Sequence, residues 1–351
     1  MDRINPAQDI YHLKRENNSR RQNAVTFSCL GKLKAINHSM LCRWKRCLEK
    51  LARDSLSEQG ISRHPLIIGL AESGIVLSAL FHQMLREQNI CADWVCSTRR
   101  PSDGIHFRES HSHGPDHVLP LPRHNPSELW FVEDEITTGR TILRLALKLC
   151  HTMKVFRIRL FAIADTRSTD DMDQFRSALH EHGISHSTRT LLRFQHKDED
   201  FPADGLLKND DPPKNRMQIP YENSLENWHF PLQRPALRNL PDVILPVLNR
   251  GLRGALLVIG EAVDIGLKFV QENPELSLHH ITLSPWKIDN RHIFNRLDIS
   301  GKYYLYNYHT LCSPLYLLND PIDNDIAAEV ENLLYEKGFS VKRILKVRSE
   351  K

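Results

Sequence analysis

Residues 129–142 read LWFVEDEITTGRTI, and the reading of this stretch decides the fold. Leu129, Trp130, Phe131 and Val132 form a short apolar run behind the loop-like RHNPSE, which reads as a buried strand. Ile142, Leu145, Ala146 and Leu149 then recur at helical spacing, so RTILRLALKLC reads as a helix. Between them the strand ends on Glu133 and Asp134, and a tight turn of small residues follows. Such a turn leaves backbone N–H groups facing outward at the positive end of the helix dipole. That suits a phosphate, and the hydroxyls of Thr137, Thr138 and Thr141 add donors. Two carboxylates beside a phosphate are better employed on sugar hydroxyls, or on water bound to Mg²⁺. The stretch therefore fits a phosphorylated sugar. A helix-capping turn with two solvated acids fits the same residues.

FVEDEITTGRT also resembles the 5-phosphoribosyl-1-pyrophosphate (PRPP) motif of type I phosphoribosyltransferases: a hydrophobic strand, two acids, two variable residues and Thr-Thr-Gly-x-Thr. The resemblance covers every position of the motif, with Arg140 where many members carry Gly. It implies the type I phosphoribosyltransferase fold, a parallel sheet flanked by helices, and Mg²⁺-dependent chemistry on PRPP. It puts the 5′-phosphate on Thr137, Thr138, Gly139, Arg140 and Thr141. Glu133 and Asp134 would hold the ribose hydroxyls, directly or through hydrated Mg²⁺. No G-x-x-x-x-G-K-[ST] occurs in the chain, which speaks against a nucleoside triphosphatase.

The chain has 351 residues, enough for two domains with separate cores. A net charge of +4, from 47 basic and 43 acidic residues, gives no reason to expect a nucleic-acid partner. The seven cysteines are scattered without a C-x-x-C, so neither a structural zinc nor a disulfide framework is expected, and a reducing cytoplasm fits. The start is not signal-like and no apolar run is long enough to span a bilayer, so no membrane role is expected. RWKRCLEKLARD reads as an amphipathic helix with a solvated face.

Strand and helix signals alternate through the first half: HPLIIGLAES, GIVLSALFHQMLREQN, ADWVCSTR, the stretch above, FRIRLFAIAD and TDDMDQFRSALHEHG. The alternation makes residues 1–195 an α/β domain, and the motif resemblance implies that it is a phosphoribosyltransferase domain. Residues 196–240 are rich in Asp, Asn and Pro and read as a linker or extended arm. Alternation resumes in RGALLVIGE, AVDIGLKFVQENPE, LHHITLS, KYYLYNY and DIAAEVENLLYEKG, giving a smaller α/β, Rossmann-like domain at 241–351.

Two further segments extend the first-half site. In GLAESGIVLS, Gly69 and Gly74 flank Ala71, Glu72 and Ser73 between a strand and a helix, so backbone N–H groups can face an anion. The segment resembles the pyrophosphate loop of the same family; ordinary strand–helix turns look alike. The long stretch STRRPSDGIHFRESHSHGPDHVLPLP is expected to be a loop, where type I enzymes carry a mobile catalytic one. Arg99, Arg100 or Arg108 would meet pyrophosphate there, with His111 or His113 as proton or hydrogen-bond donors. Asp165 ends a strand where a base could be read.

RENNSRRQNAVTFSCLGKLKA, ESHSHGPDH and the second-half segments resemble the TRSP-type phosphoribosyltransferases, an orotate phosphoribosyltransferase-like subgroup linked to tellurium resistance and stress. The stretch matching its Thr-Arg-Ser-Pro motif is ITLSPWKIDN, with Leu283 in place of Arg. Gly260, Glu261 and Ser284 are the candidate residues of that half. The resemblances imply a homodimeric enzyme that makes or breaks an N-glycosidic bond of a nucleotide-like metabolite with pyrophosphate as co-product. The alternative is a non-catalytic, PRPP-sensing regulator.

Overall fold

The computed structural model describes residues 9–16, 23–57, 64–100, 102–108, 116–122, 125–194 and 251–344. The described residues from 45 to 194 form one compact unit; residues 9–44 and 251–344 form another. The expected linker at 196–240 lies outside the described residues.

The chain opens in the second unit with an antiparallel hairpin of β1 (Ile10–Lys14) and β2 (Asn23–Phe27), Ile10 opposite Phe27. The sequence reading grouped these residues with the first domain. Here the hairpin buries Leu13 and Ala24 against Trp286, Ile293 and Tyr306, and Glu16 N–H and Lys14 C=O bond to Pro285 and Lys287. Helix α1 (His38–Ser57) follows, its first turn capped by the Asn37 side chain, which accepts from Met40 N–H at 2.9 Å. It runs longer at both ends than the predicted amphipathic segment.

The first unit contains β3 (Pro65–Gly69), α2 (Ser73–Glu87), β4 (Asp93–Cys96), β5 (Ile105–Arg108), β6 (Asp116–Leu119), β7 (Glu128–Ile136), α3 (Arg140–Met153), β8 (Arg157–Asp165), α4 (Thr169–Glu181) and β9 (Ser185–Arg193). Its five-stranded sheet has the order β4-β3-β7-β8-β9, all parallel. Strands covered on both faces read as continuous apolar runs, and Leu66–Ile68, Leu129–Val132 and Leu160–Ala164 are buried throughout. Phe81 of α2 packs 4.8 Å from Phe161 and 6.2 Å from Trp130. At the amino end of β7, buried Glu128 accepts from Arg159, Arg157 and the Trp130 indole; burial raises its pKa, but these donors outweigh that and hold it below the usual carboxylate value.

Two expectations change here. β7 runs on through Glu133 and Asp134 to Ile136. The stretch expected as a structureless loop contains the β5–β6 ribbon, tied to the end of β4 by reciprocal Thr98–Val118 backbone bonds of 2.8 Å. Ribbon pairing satisfies backbone groups that a bare loop would leave to water.

The second unit continues with β10 (Gly254–Ile259), α5 (Val263–Glu272), β11 (Leu276–Ile281), β12 (Arg296–Ile299), β13 (Tyr303–Tyr306), β14 (Leu315–Leu318), α6 (Asn324–Glu336) and β15 (Val341–Arg343). Its parallel sheet has the order β11-β10-β14-β15. Residues 31–36 run along its β11 edge, where Ile36 and Leu278 exchange bonds of 2.8 Å. Leu257, Ile259, Ile281, Leu317, Val330 and Leu334 make the core. Gly266 lets α5 approach the sheet, because a Cβ there would lie 2.7 Å from the Leu278 and Val258 side chains. Both units thus have the expected α/β class. Among the described residues no helix is long and apolar enough to cross a membrane.

His279 of β11 is buried in this second core, and burial pushes its pKa down to about 4. The folded protein therefore holds fewer protons here than the unfolded chain once the pH drops below the ordinary histidine value. The stability of the neutral ring is complete above that value and is lost as pH falls toward 4. Between pH 7.5 and 5 the loss should be about 2 kcal/mol. Urea titrations at both pH values should show it, and His279→Gln should flatten the difference. An equal pH effect in the variant would assign it to another group.

Candidate functional site

The sheet order of the first unit fixes where a ligand can lie. From β3 the chain moves outward to β4, then crosses back to place β7 on the other side of β3. The carboxyl ends of β3 and β7 are therefore the topological switch point, where flanking loops diverge and leave a crevice. The loop after β3 is Leu70–Glu72 and the loop after β7 is Thr137–Gly139. These are the two segments that the sequence reading singled out.

One side chain ties the first of them to β7. The β3–β7 ladder stops at the pair Ile68–Phe131, while β7 continues. Glu133, the next residue on the same side of β7 after Phe131, accepts the Leu70 N–H on Oε1 at 2.8 Å. Its carboxylate replaces the ladder where β3 turns away. Gly74 makes room: a Cβ there would stand 2.8 Å from the same oxygen. Glu133 is buried and Asp134 half-buried, as strand alternation requires of neighbours that face opposite sides.

The Ala71–Glu72 peptide is cis, and Ala71 N–H donates to Ser97 Oγ at 2.8 Å. The Leu70 and Ala71 amides thus point into the protein, so the outward-facing amides expected of the loop would begin only at Glu72. Arg99 comes to the same loop, with Nη1 3.7 Å from Glu72 Oε2 and Nη2 3.5 Å from the Ala71 carbonyl oxygen. Arg100 follows it, its N–H on Thr98 Oγ1 at 3.1 Å. Arg108 lies at the far end of the ribbon, 3.8 Å from Asp116. His111 and His113 lie outside the described residues.

On the β7 side, Gly139 adopts φ +76 and precedes α3, whose first turn has no side-chain cap. Thr138 Oγ1 accepts from Arg140 N–H at a long 3.4 Å. Arg140 extends toward Asp171 at 3.7 Å. Asp165, expected to face a base, is buried, and Arg167 donates to both its oxygens at 2.9 and 2.8 Å. Arg167 also stacks 5.2 Å from the Phe175 ring. A Cβ on Gly139 would meet both, at 3.4 and 3.1 Å. Sequence reasoning passed over Arg167, Ser97 and Leu70. Only the position of each just beyond a strand end hinted at a role.

In the second unit the switch point falls between β10 and β14. Gly260 follows β10 at φ +53, and its carbonyl accepts from His280 Nε2 at 2.9 Å. Glu261 is buried beside it. Ser284, after β11, takes Lys32 Nζ at 3.5 Å, and Leu283 packs on the apolar core. Among the described residues of either unit, no three His, Cys, Asp or Glu side chains are grouped as a metal cage.

A protein-family model described as phosphoribosyl transferase matches residues 11–195, more than half of the chain. A sequence search of curated proteins finds no match. Among solved structures, adenine phosphoribosyltransferase from Saccharomyces cerevisiae is 13% identical, with a TM-score of 0.34, covering 52% of this chain and 94% of its own. The Rhodothermus marinus adenine enzyme is 17% identical, with a TM-score of 0.35, covering 54% and 96%. Hypoxanthine phosphoribosyltransferase from Trypanosoma cruzi, in complex with the product IMP, is 15% identical, with a TM-score of 0.28, covering 46% and 75%. The family match decides the matter: the chain belongs to the phosphoribosyl transferase family.

Gly74→Ala should drive a methyl into the Glu133 carboxylate and cost about 1–3 kcal/mol by overpacking. Hydrogen exchange at the Leu70 amide, read by NMR, should speed up in step. Unchanged exchange would show that the Leu70–Glu133 bond does not depend on Gly74.

Proposed function

We propose that this phosphoribosyltransferase binds PRPP with Mg²⁺ and joins ribose C1 to a nitrogen of a base or nucleotide-like acceptor as pyrophosphate leaves, or runs the same reaction in reverse. The supporting observation is that the loops after β3 and β7, Leu70–Glu72 and Thr137–Gly139, both open at one switch point, where Glu133 of β7 accepts the Leu70 N–H of the first. One loop would take pyrophosphate and the other the 5′-phosphate.

The protein has little covalent work in such a transfer. It positions ribose and stabilises the charge growing on pyrophosphate. Thr137, Thr138, Gly139, Arg140 and Thr141 would hold the 5′-phosphate at the start of α3. Ala71, Glu72 and Ser73 would receive pyrophosphate, with Arg99 brought to that loop and Arg100 beside it. Glu133 and Asp134 would hold the ribose hydroxyls, directly or through hydrated Mg²⁺. Mg²⁺ would be held chiefly by substrate oxygens and water, with these carboxylates in contact through water. Bound so, the metal neutralises charge on the leaving group. His111 and His113 would serve as donors. Asp165 would act on a base only through Arg167, which holds both its oxygens.

Gly260, Glu261 and Ser284 are proposed as a separate ligand site of the second unit. Leu283 on the core there argues against an anion held by that position. Tellurium-linked stress metabolism, a homodimer and a cytoplasmic home are what the TRSP resemblance adds to the proposal.

Glu133→Gln/Asp134→Asn tests the ribose site. The Gln amide oxygen can still accept from Leu70, so the variant should fold. It should lose charge-assisted bonds worth ~1.5–3 kcal/mol each, with turnover falling more than PRPP affinity. Pyrophosphate release at saturating PRPP, beside a thermal melt of the same preparation, reads both. A folded double variant with undiminished turnover would rule out the ribose site. A wild-type protein that binds PRPP yet turns over no acceptor would favour the sensor reading.

A further inference from the structure

The pyrophosphate-side loop has a second fastening that the reaction scheme does not use. Ser97 is wholly buried at the carboxyl end of β4, on the opposite side of β3 from Glu133. Its backbone N–H donates to Gly69 C=O at 2.9 Å, extending the β3–β4 ladder by one bond. Its hydroxyl then accepts the next available loop amide, that of Ala71, at 2.8 Å. Behind it stands His117 of β6, with Nδ1 3.1 Å from Ser97 Oγ. His117 is itself buried, and its ring lies 5.1 Å from that of Phe107 across the ribbon. Either histidine tautomer suits the pair, because a hydroxyl offers one donor and two acceptor sites.

We propose that Ser97, backed by His117, is a positioning residue for the pyrophosphate end of the substrate. Consecutive amides are pulled to opposite sides: Leu70 toward β7 by Glu133, Ala71 toward β4 by Ser97. With both ends of that dipeptide fixed, the path of Glu72 and Ser73 into α2 is set before any ligand arrives. Preorganised donors cost no reorganisation when charge develops on a leaving group. Through His117, the same hydroxyl links the loop to the β5–β6 ribbon, so the ribbon's seating bears on how pyrophosphate is received. The 5′-phosphate loop hangs on β7 and Gly139, and Ser97 does not touch it.

This inference rests on the assignment of Ala71–Ser73 to pyrophosphate, and the test separates the two. Calorimetry with Mg-pyrophosphate and, separately, ribose 5-phosphate reports the two ends of the substrate site. In Ser97→Ala, pyrophosphate affinity should fall about tenfold, the order of one hydrogen bond to a buried amide, with ribose 5-phosphate affinity unchanged. His117→Phe keeps the ring contact with Phe107 and removes the ring nitrogen, and should give a smaller loss, again confined to pyrophosphate. Ser97→Thr keeps the hydroxyl and should restore pyrophosphate affinity toward that of the wild type. A thermal melt of each variant shows that it is folded. Equal weakening of both ligands would mean general loosening and overturn the inference, as would no change in either. If the wild-type protein binds ribose 5-phosphate but not pyrophosphate, the loop assignment fails first and takes this inference with it.

Discussion

A carboxylate standing in for a missing rung of sheet governs the first unit. Where β3 leaves the ladder, Leu70 N–H would be a buried donor without a partner, which costs about 1–3 kcal/mol. Glu133 supplies the acceptor, and because it belongs to β7 it ties the loop after β3 to that strand at the switch point. The surroundings follow from that bond. Gly74 must lack a side chain, β7 must outrun β3, and Asp134 must face the other way. An acid that looks like a ligand group in the sequence is therefore also a structural strut, with one oxygen bound to the loop after β3.

Much of this was legible. Fully buried parallel strands announce themselves as unbroken apolar runs, and Leu129–Val132 did so; helical spacing after Gly139 gave α3 almost to its ends. The pairing of the two loops followed from their order along an alternating α/β chain. What was hidden depends on partners distant in sequence. β9, SHSTRTLLR, sits at an edge with neither a clean alternation nor an apolar run, and it forms because β8 offers a ladder. β12, β14 and β15 are only three or four residues long and carry too little pattern to read. The ribbon inside the supposed loop buries Phe107, Val118 and Leu119, scattered among polar residues.

The site was legible to a different degree. Residue types with chemistry, such as Glu133, Asp134 and the threonines, stand out in one dimension. Ser97 and Arg167 do not, because their roles come from geometry: a hydroxyl facing an amide 26 residues earlier, and a guanidinium folded back onto Asp165. Asp165 shows the converse. Its position at a strand end is as expected, but a neighbouring Arg two residues on holds both oxygens, which no spacing rule could weigh against binding.

The hairpin and the 31–36 edge segment have a consequence for how the chain is made. Asn307 donates to the Leu33 carbonyl 274 residues earlier, and Lys32 reaches Ser284 across 252. The first unit is thus spliced, as sequence, into the interior of the second. During synthesis the first unit can finish while residues 9–36 still await β11 and Trp286, so the amino-terminal hairpin and the 31–36 segment lack their packing partners until the last third of the chain leaves the ribosome. Closing so long a loop makes the second unit the slower of the two to assemble. A severed carboxyl-terminal fragment would begin life with an open β11 edge, a ready template for the wrong strand.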